Sequence, residues 1–166
     1  WSLGRNEEAM KYFDKALDLD PKYIHAWTGK GATLGDLGKY REALECFDKA
    51  LTLDPKYVDA WNWKGNILMK LSRQEEALDC YDKALVLDSK YVHSWNGKGN
   101  VIMNLGKHEV ALECYDKALT LDSKYVNAWN GKGAALIGLA KYEEALECFN
   151  KALVLDPKYL HAWQNK

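Results

Sequence analysis

The sequence has little of what most functional classes demand. Its 23 basic and 24 acidic side chains leave a net charge of −1, so nothing favours a polyanion or an anionic membrane surface as partner. The longest nearly apolar run, residues 133–140, falls far short of the ~20 residues needed to span a bilayer. Three prolines and no tract rich in Ser, Gly or Pro leave no place for a disordered linker. No charged-then-apolar leader precedes the patterned part, which reads as the absence of a secretion signal. Opening on Trp1 instead of Met reads as a segment of a longer polypeptide. What remains is 166 residues, 48% of them apolar, enough for one globular or repetitive domain.

Self-similarity sets the organisation. Trp27, Trp61, Trp95, Trp129 and Trp163 recur every 34 residues, as do Cys46, Cys80, Cys114 and Cys148. Tyr23, Tyr57, Tyr91, Tyr125 and Tyr159 keep the same interval. Complete units are expected at 24–57, 58–91, 92–125 and 126–159 of a single array. Residues 1–23 match the end of a first helix plus a second helix, and residues 160–166 begin a further unit.

Each unit reads as two helices. In the second, Trp61, Gly65, Leu68 and Leu71 share one helical face, and Ala77, Tyr81, Ala84 and Leu85 form another after a turn at Ser72-Arg73-Gln74. The corresponding turn carries Gly4, Gly38 and Gly106, as a left-handed helix end requires. Ser72 and Ala140 stand there in the other units, and a left-handed backbone at either costs roughly 1 kcal/mol relative to Gly. Asp-Pro closes three units at Asp20, Asp54 and Asp156, while Asp88-Ser89 and Asp122-Ser123 keep only the acid. Gly31, Gly99 and Gly133 are read as allowing close helix approach opposite Ala43, Ala111 and Ala145. Gly29, Gly97 and Gly131 receive no account from sequence, and Trp63 takes that place in the second unit.

The set Trp27, Gly31, Ala43, Phe47, Ala50 and Pro55, repeated along all 166 residues, resembles the signature of tetratricopeptide repeat proteins. The resemblance implies an all-α fold, a right-handed α-α superhelix (solenoid) of stacked 34-residue helix-turn-helix repeats. One departure is Lys30, Lys64, Lys98, Lys132 and Lys166, where the family usually has Leu. Their stems are expected to cover apolar surface while the ammonium reaches water.

Catalytic chemistry is not legible. Equivalent cysteines on stacked helix pairs lie about 10 Å or more apart, too far for a disulfide, and their spacing does not match a zinc motif. They read as small buried side chains, and four free thiols favour a reducing, cytoplasmic setting. His25, His93 and His161 read as solvated helix-start residues, with Asp59 and Asn127 at the same place in the intervening units. Gly29-Lys30-Gly31 matches no phosphate loop. The expectation is a non-enzyme with no cofactor, no metal and no small-molecule substrate.

By the resemblance, first helices line a concave face and bind through residues one, five, eight and nine after the tryptophan. That stripe gives the candidate groove residues Thr28, Asn62, Asn66, Met69, Lys70, Asn96, Asn100, Met103, Asn104 and Asn130. Asparagine is a mediocre helix former, so six on one mid-helical face suggest a ladder of amides for the backbone of an extended peptide. Met69 and Met103 would adapt to apolar groups. The expected function is a protein–protein interaction scaffold. The alternatives are a self-assembling solenoid stacking head to tail, or the docking module of a larger enzyme. Nucleic acid and membrane are not expected as partners, because the stripe offers only Lys70 as a cation.

Overall fold

Ten helices and no strand occur among the described residues, so the expected all-α architecture of helical pairs is observed. The computed structural model describes residues 2–165, with side chains from residue 5 onward. Two units are distinguished, Trp1–Asp88 and Ser89–Lys166. The first holds α1 (Ser2–Leu19), α2 (Ile24–Asp36), α3 (Tyr40–Leu53), α4 (Val58–Lys70) and α5 (Gln74–Leu87). The second holds α6 (Val92–Asn104), α7 (His108–Leu121), α8 (Val126–Gly138), α9 (Tyr142–Leu155) and α10 (Leu160–Asn165). In the first unit α2 pairs with α3 and α4 with α5, while α2 also lies beside α4 and α3 against α4. In the second, α6 pairs with α7, α8 with α9, and α8 lies beside both α6 and α10.

The turn inside each pair follows from backbone hydrogen bonding. Lys39 N–H donates to Leu34 O and Gly38 N–H to Gly35 O, the double closure of a helix end through a left-handed residue. Arg73 and Ser72, Lys107 and Gly106, and Lys141 and Ala140 repeat it. Ser72 and Ala140 do take positive φ, 59° and 57°, beside Gly38 at 74° and Gly106 at 73°. The turn expected at Gly4 is not formed, because α1 runs unbroken from Ser2 to Leu19.

The link between pairs has its own staple. Asp54 Oδ1 accepts from Lys56 N–H at 2.8 Å, and the Trp61 indole N–H donates to Pro55 O at 2.9 Å. Trp95 and Trp129 donate to Ser89 O and Ser123 O instead. A backbone carbonyl is all that the indole needs, so the exchange of Pro for Ser leaves the link intact.

An aromatic ring from each second helix fills the centre of its pair. Phe47, Tyr81, Tyr115 and Phe149 are essentially inaccessible to solvent. A Cβ at Gly65 would meet the Tyr81 ring at 2.8 Å, and one at Gly31 would meet Phe47 at 2.8 Å. The nearest neighbour that the helix-packing glycines admit is therefore an aromatic ring of the partner helix. Two of the three glycines without a sequence account, Gly29 and Gly131, are explained in the same way. A Cβ at Gly131 would strike Tyr115 of the preceding repeat at 2.5 Å, and Gly29 lies against Phe13. Tyr115 is thus clasped between Gly99 of its own repeat and Gly131 of the next.

Lysine in the family's leucine position is also explained. Lys30, Lys64 and Lys132 each reach an aspartate of the preceding repeat (Asp14, Asp48, Asp116) at 2.6 Å. Their ammonium groups lie 5.8–5.9 Å from the centroids of Trp27, Trp61 and Trp129. The hydrogen bond that Lys30 donates to Asp14 is the main reason its ammonium titrates above its usual range. The stems are covered as expected, but the charge pairs with protein instead of ending in water alone. Lys166 lies outside the described residues.

Candidate functional site

The stripe read from the sequence divides into closed and open positions. Thr28, Asn62 and Asn96 are buried, 6%, 5% and 8% exposed, and so do not line a groove. At the equivalent Asn130, Oδ1 accepts from Asn165 Nδ2 of the next first helix at 3.1 Å. That amide faces the neighbouring first helix. Thr28 spends its hydroxyl on Ile24 O within its own helix. Asn96 Oδ1 is buried with no hydrogen-bond partner among the described residues.

Five residues after the tryptophan the picture differs. Asn66 on α4 is half-buried, and its Oδ1 accepts from the Tyr81 hydroxyl of α5 at 2.7 Å. Asn100 on α6 accepts from Tyr115 of α7, also at 2.7 Å. Tyr115 additionally has the Met103 sulfur at 3.8 Å. Burial pushes both phenols above their ordinary pKa, so they remain protonated donors.

Sequence reading missed these tyrosines, although a signal was present. Repeats with Tyr in the ring position carry Asn fifteen residues earlier (Asn66 and Tyr81, Asn100 and Tyr115), and repeats with Phe carry Ala there (Ala32 and Phe47, Ala134 and Phe149). A buried phenol needs an acceptor, and a phenyl ring does not. Asparagine here thus has a structural reason beside any ligand role.

Beyond Asn66 on α4 stand Met69, half-buried, and Lys70, exposed; beyond Asn100 on α6 stand Met103, half-buried, and Asn104, exposed. Each unit therefore carries a short run of amide, thioether and terminal polar group on one first helix. Asn130 on α8 is half-buried.

The helix-start histidines and the cysteines serve the packing of the repeats. Exposed His25 meets the Tyr57 hydroxyl of the next repeat through Nδ1 at 2.9 Å, and His93 meets Tyr125 at 3.0 Å. Tyr159 donates to Asn127 in the same way at 2.7 Å. These helix-start residues are solvated, as expected, and also tie successive repeats together. All four cysteines are free and buried. Burial raises the Cys46 and Cys80 thiols to about 11, with nearby Lys30 and Lys64 acting in the opposite direction. Among the described residues no group of His, Cys, Asp and Glu could hold a metal ion, and no helix is long and apolar enough to cross a membrane.

Comparison with known proteins agrees with the repeat geometry. Tetratricopeptide repeat families match residues 1–23, 28–92, 99–139 and 126–159. No curated protein matches the chain. Among solved structures, MamA is 26% identical with a TM-score of 0.76, covering 96% of this chain and 93% of its own. YrrB, described as a TPR protein with an unusual peptide-binding site, is 27% identical with a TM-score of 0.71, covering 98% of this chain and 84% of its own. A thermophilic TPR protein from Thermus thermophilus is 24% identical with a TM-score of 0.86, covering 98% of this chain and 89% of its own, a likeness of fold. With matching families over most of its length and the ring, glycine and tryptophan positions all in their structural roles, the chain belongs to the tetratricopeptide repeat family.

Proposed function

We propose that the chain is a non-catalytic binding module that takes up an extended segment of another protein along its first helices. The observation that carries this reading is the pair Asn66 and Met69 in one unit and Asn100 and Met103 in the other, each half-buried on a first helix. An amide beside a thioether offers a directional contact to a peptide backbone and a compliant one to its side chains. Lys70 and Asn104 flank these pairs as open polar positions. Thr28, Asn62 and Asn96 are buried within the array and take no part in the contact. The peptide-binding site attributed to YrrB, a relative of similar length, supports the same class of guest.

The test begins with selection of 12-residue peptides from a random displayed library on the intact chain. Calorimetry then compares the selected peptide on the unaltered protein and on Met69→Ala with Met103→Ala. A loss of about tenfold in affinity is expected from removing two half-buried thioethers. Unchanged affinity, or failure to select any peptide, would remove the first helices from the account.

A further inference from the structure

The two groove asparagines are not free to choose which face of the amide they show. Tyr81 and Tyr115 are 0% exposed, and each places its hydroxyl 2.7 Å from an asparagine Oδ1. A phenol has a single proton to donate. If the amide turned over, its N–H₂ would face the phenolic oxygen and the O–H would be left buried without an acceptor, a strongly disfavoured state. Among the described residues, Asn66 and Asn100 make no hydrogen bond through Nδ2. One lone pair of each Oδ1 is taken inside the fold, which fixes the amide's orientation, and the whole donor side is left for whatever lies on the first helix.

We infer that Tyr81 and Tyr115 are positioning residues that fix Asn66 and Asn100 as N–H donors, so that each unit takes a backbone carbonyl oxygen of the guest at that point. This rests on the peptide-binding reading above and makes it directional. An amide free to turn would meet the guest's N–H groups as readily as its carbonyls; a fixed one turns its N–H₂ outward and so favours carbonyls. The repeats with Ala32 and Ala134 offer only a methyl group at the same place, so the polar contacts are confined to the middle two repeats. Asn66 is held more firmly than Asn100, because Tyr115 has the Met103 sulfur as a second acceptor.

The experiment uses the peptide selected on the intact chain. Asn66→Asp keeps the shape and still accepts from Tyr81, but it carries no N–H. It is expected to weaken binding about tenfold, the worth of one hydrogen bond lost together with its partner's desolvation. Equal or tighter binding would mean that the guest supplies donors, and would overturn the inference. Tyr81→Phe leaves the amide free to turn, so about half the molecules present the wrong side and affinity falls about twofold. The double change Asn66→Ala with Tyr81→Phe rebuilds the pairing that Ala32 and Phe47 already form in this chain, so it keeps the fold while losing the full tenfold or so. A C-terminally amidated copy of the peptide is expected to bind as before, and a large loss would assign the acceptor to a terminal carboxylate instead. Should the methionine variants weaken binding while Asn66→Asp does not, the inference fails and the binding reading stands. Should neither weaken it, both fail.

Discussion

Repeats 24–57 and 126–159 close around phenylalanine with alanine on the facing first helix, whereas repeats 58–91 and 92–125 close around tyrosine with asparagine. The rings occupy the same buried place, and in each repeat a helix-packing glycine makes room for them. One oxygen atom separates the two versions. That oxygen must donate within the fold, and the nearest solution is an amide on the first helix. The difference teaches that polarity on a binding face is partly set from underneath. Two of the asparagines that look like ligand-seeking residues are also the complements of buried hydroxyls.

Exchanging the pairs between repeats should break the comparison most visibly. Asn66→Ala alone strands the Tyr81 hydroxyl and is expected to cost about 1–3 kcal/mol in urea unfolding. Asn100→Ala should cost less, because Met103 remains as a weak acceptor for Tyr115. Adding Tyr81→Phe to Asn66→Ala should return stability to near the starting value, since both polar partners have gone. Equal losses for the single and the double variant would deny the pairing. The reverse exchange sharpens the point. Phe47→Tyr buries an unpartnered hydroxyl at a cost of roughly 1–3 kcal/mol, and Ala32→Asn in the same chain should recover most of it. A double variant no more stable than Phe47→Tyr would show that the surroundings, not the pair, decide.

A second contrast concerns the turns. Gly38 and Gly106 hold positive φ without strain, while Ser72 and Ala140 hold it with a Cβ. Ser72→Gly and Ala140→Gly are each expected to raise stability by up to about 1 kcal/mol. A loss in either variant would show that unfolded-state entropy outweighs the relieved strain.

The smallest effect lies at alkaline pH. Cys46 and Cys80 have folded pKa values of about 11, above the ordinary thiol value of 9.0. The neutral thiol is the form the fold favours, so this contribution is complete below pH 9 and is lost as pH rises towards 11. Alkylation by iodoacetamide at about pH 8 should therefore be much slower in the folded chain than in urea. Equal rates would place the thiols in solvent.

Much of the fold was legible because its signals are local or strictly periodic. The 34-residue interval located both helices of each repeat, and alignment with Gly38 and Gly106 marked Ser72 and Ala140 as the places where a left-handed backbone, which both adopt, would cost most. Reading failed where a residue's partner lies on another helix. Gly131 had no account from sequence, and its reason is the Tyr115 ring of the preceding repeat lying against it. Asn62 and Asn96 looked like groove residues because helical spacing gives an angle around the axis but not what stands there. Gly4 looked like a turn because its position repeats, yet α1 continues through it.

By itself the sequence determined the repeat period, the two-helix unit and the absence of a strong charge on which to build a nucleic-acid or membrane site, since composition and periodicity are properties of one chain read in order. Only the tertiary structure decided which amides are buried, which are oriented and which are open. Those outcomes depend on hydrogen bonds such as Tyr81 to Asn66, formed across fifteen residues of sequence, and a buried donor has no choice but to find its acceptor in space.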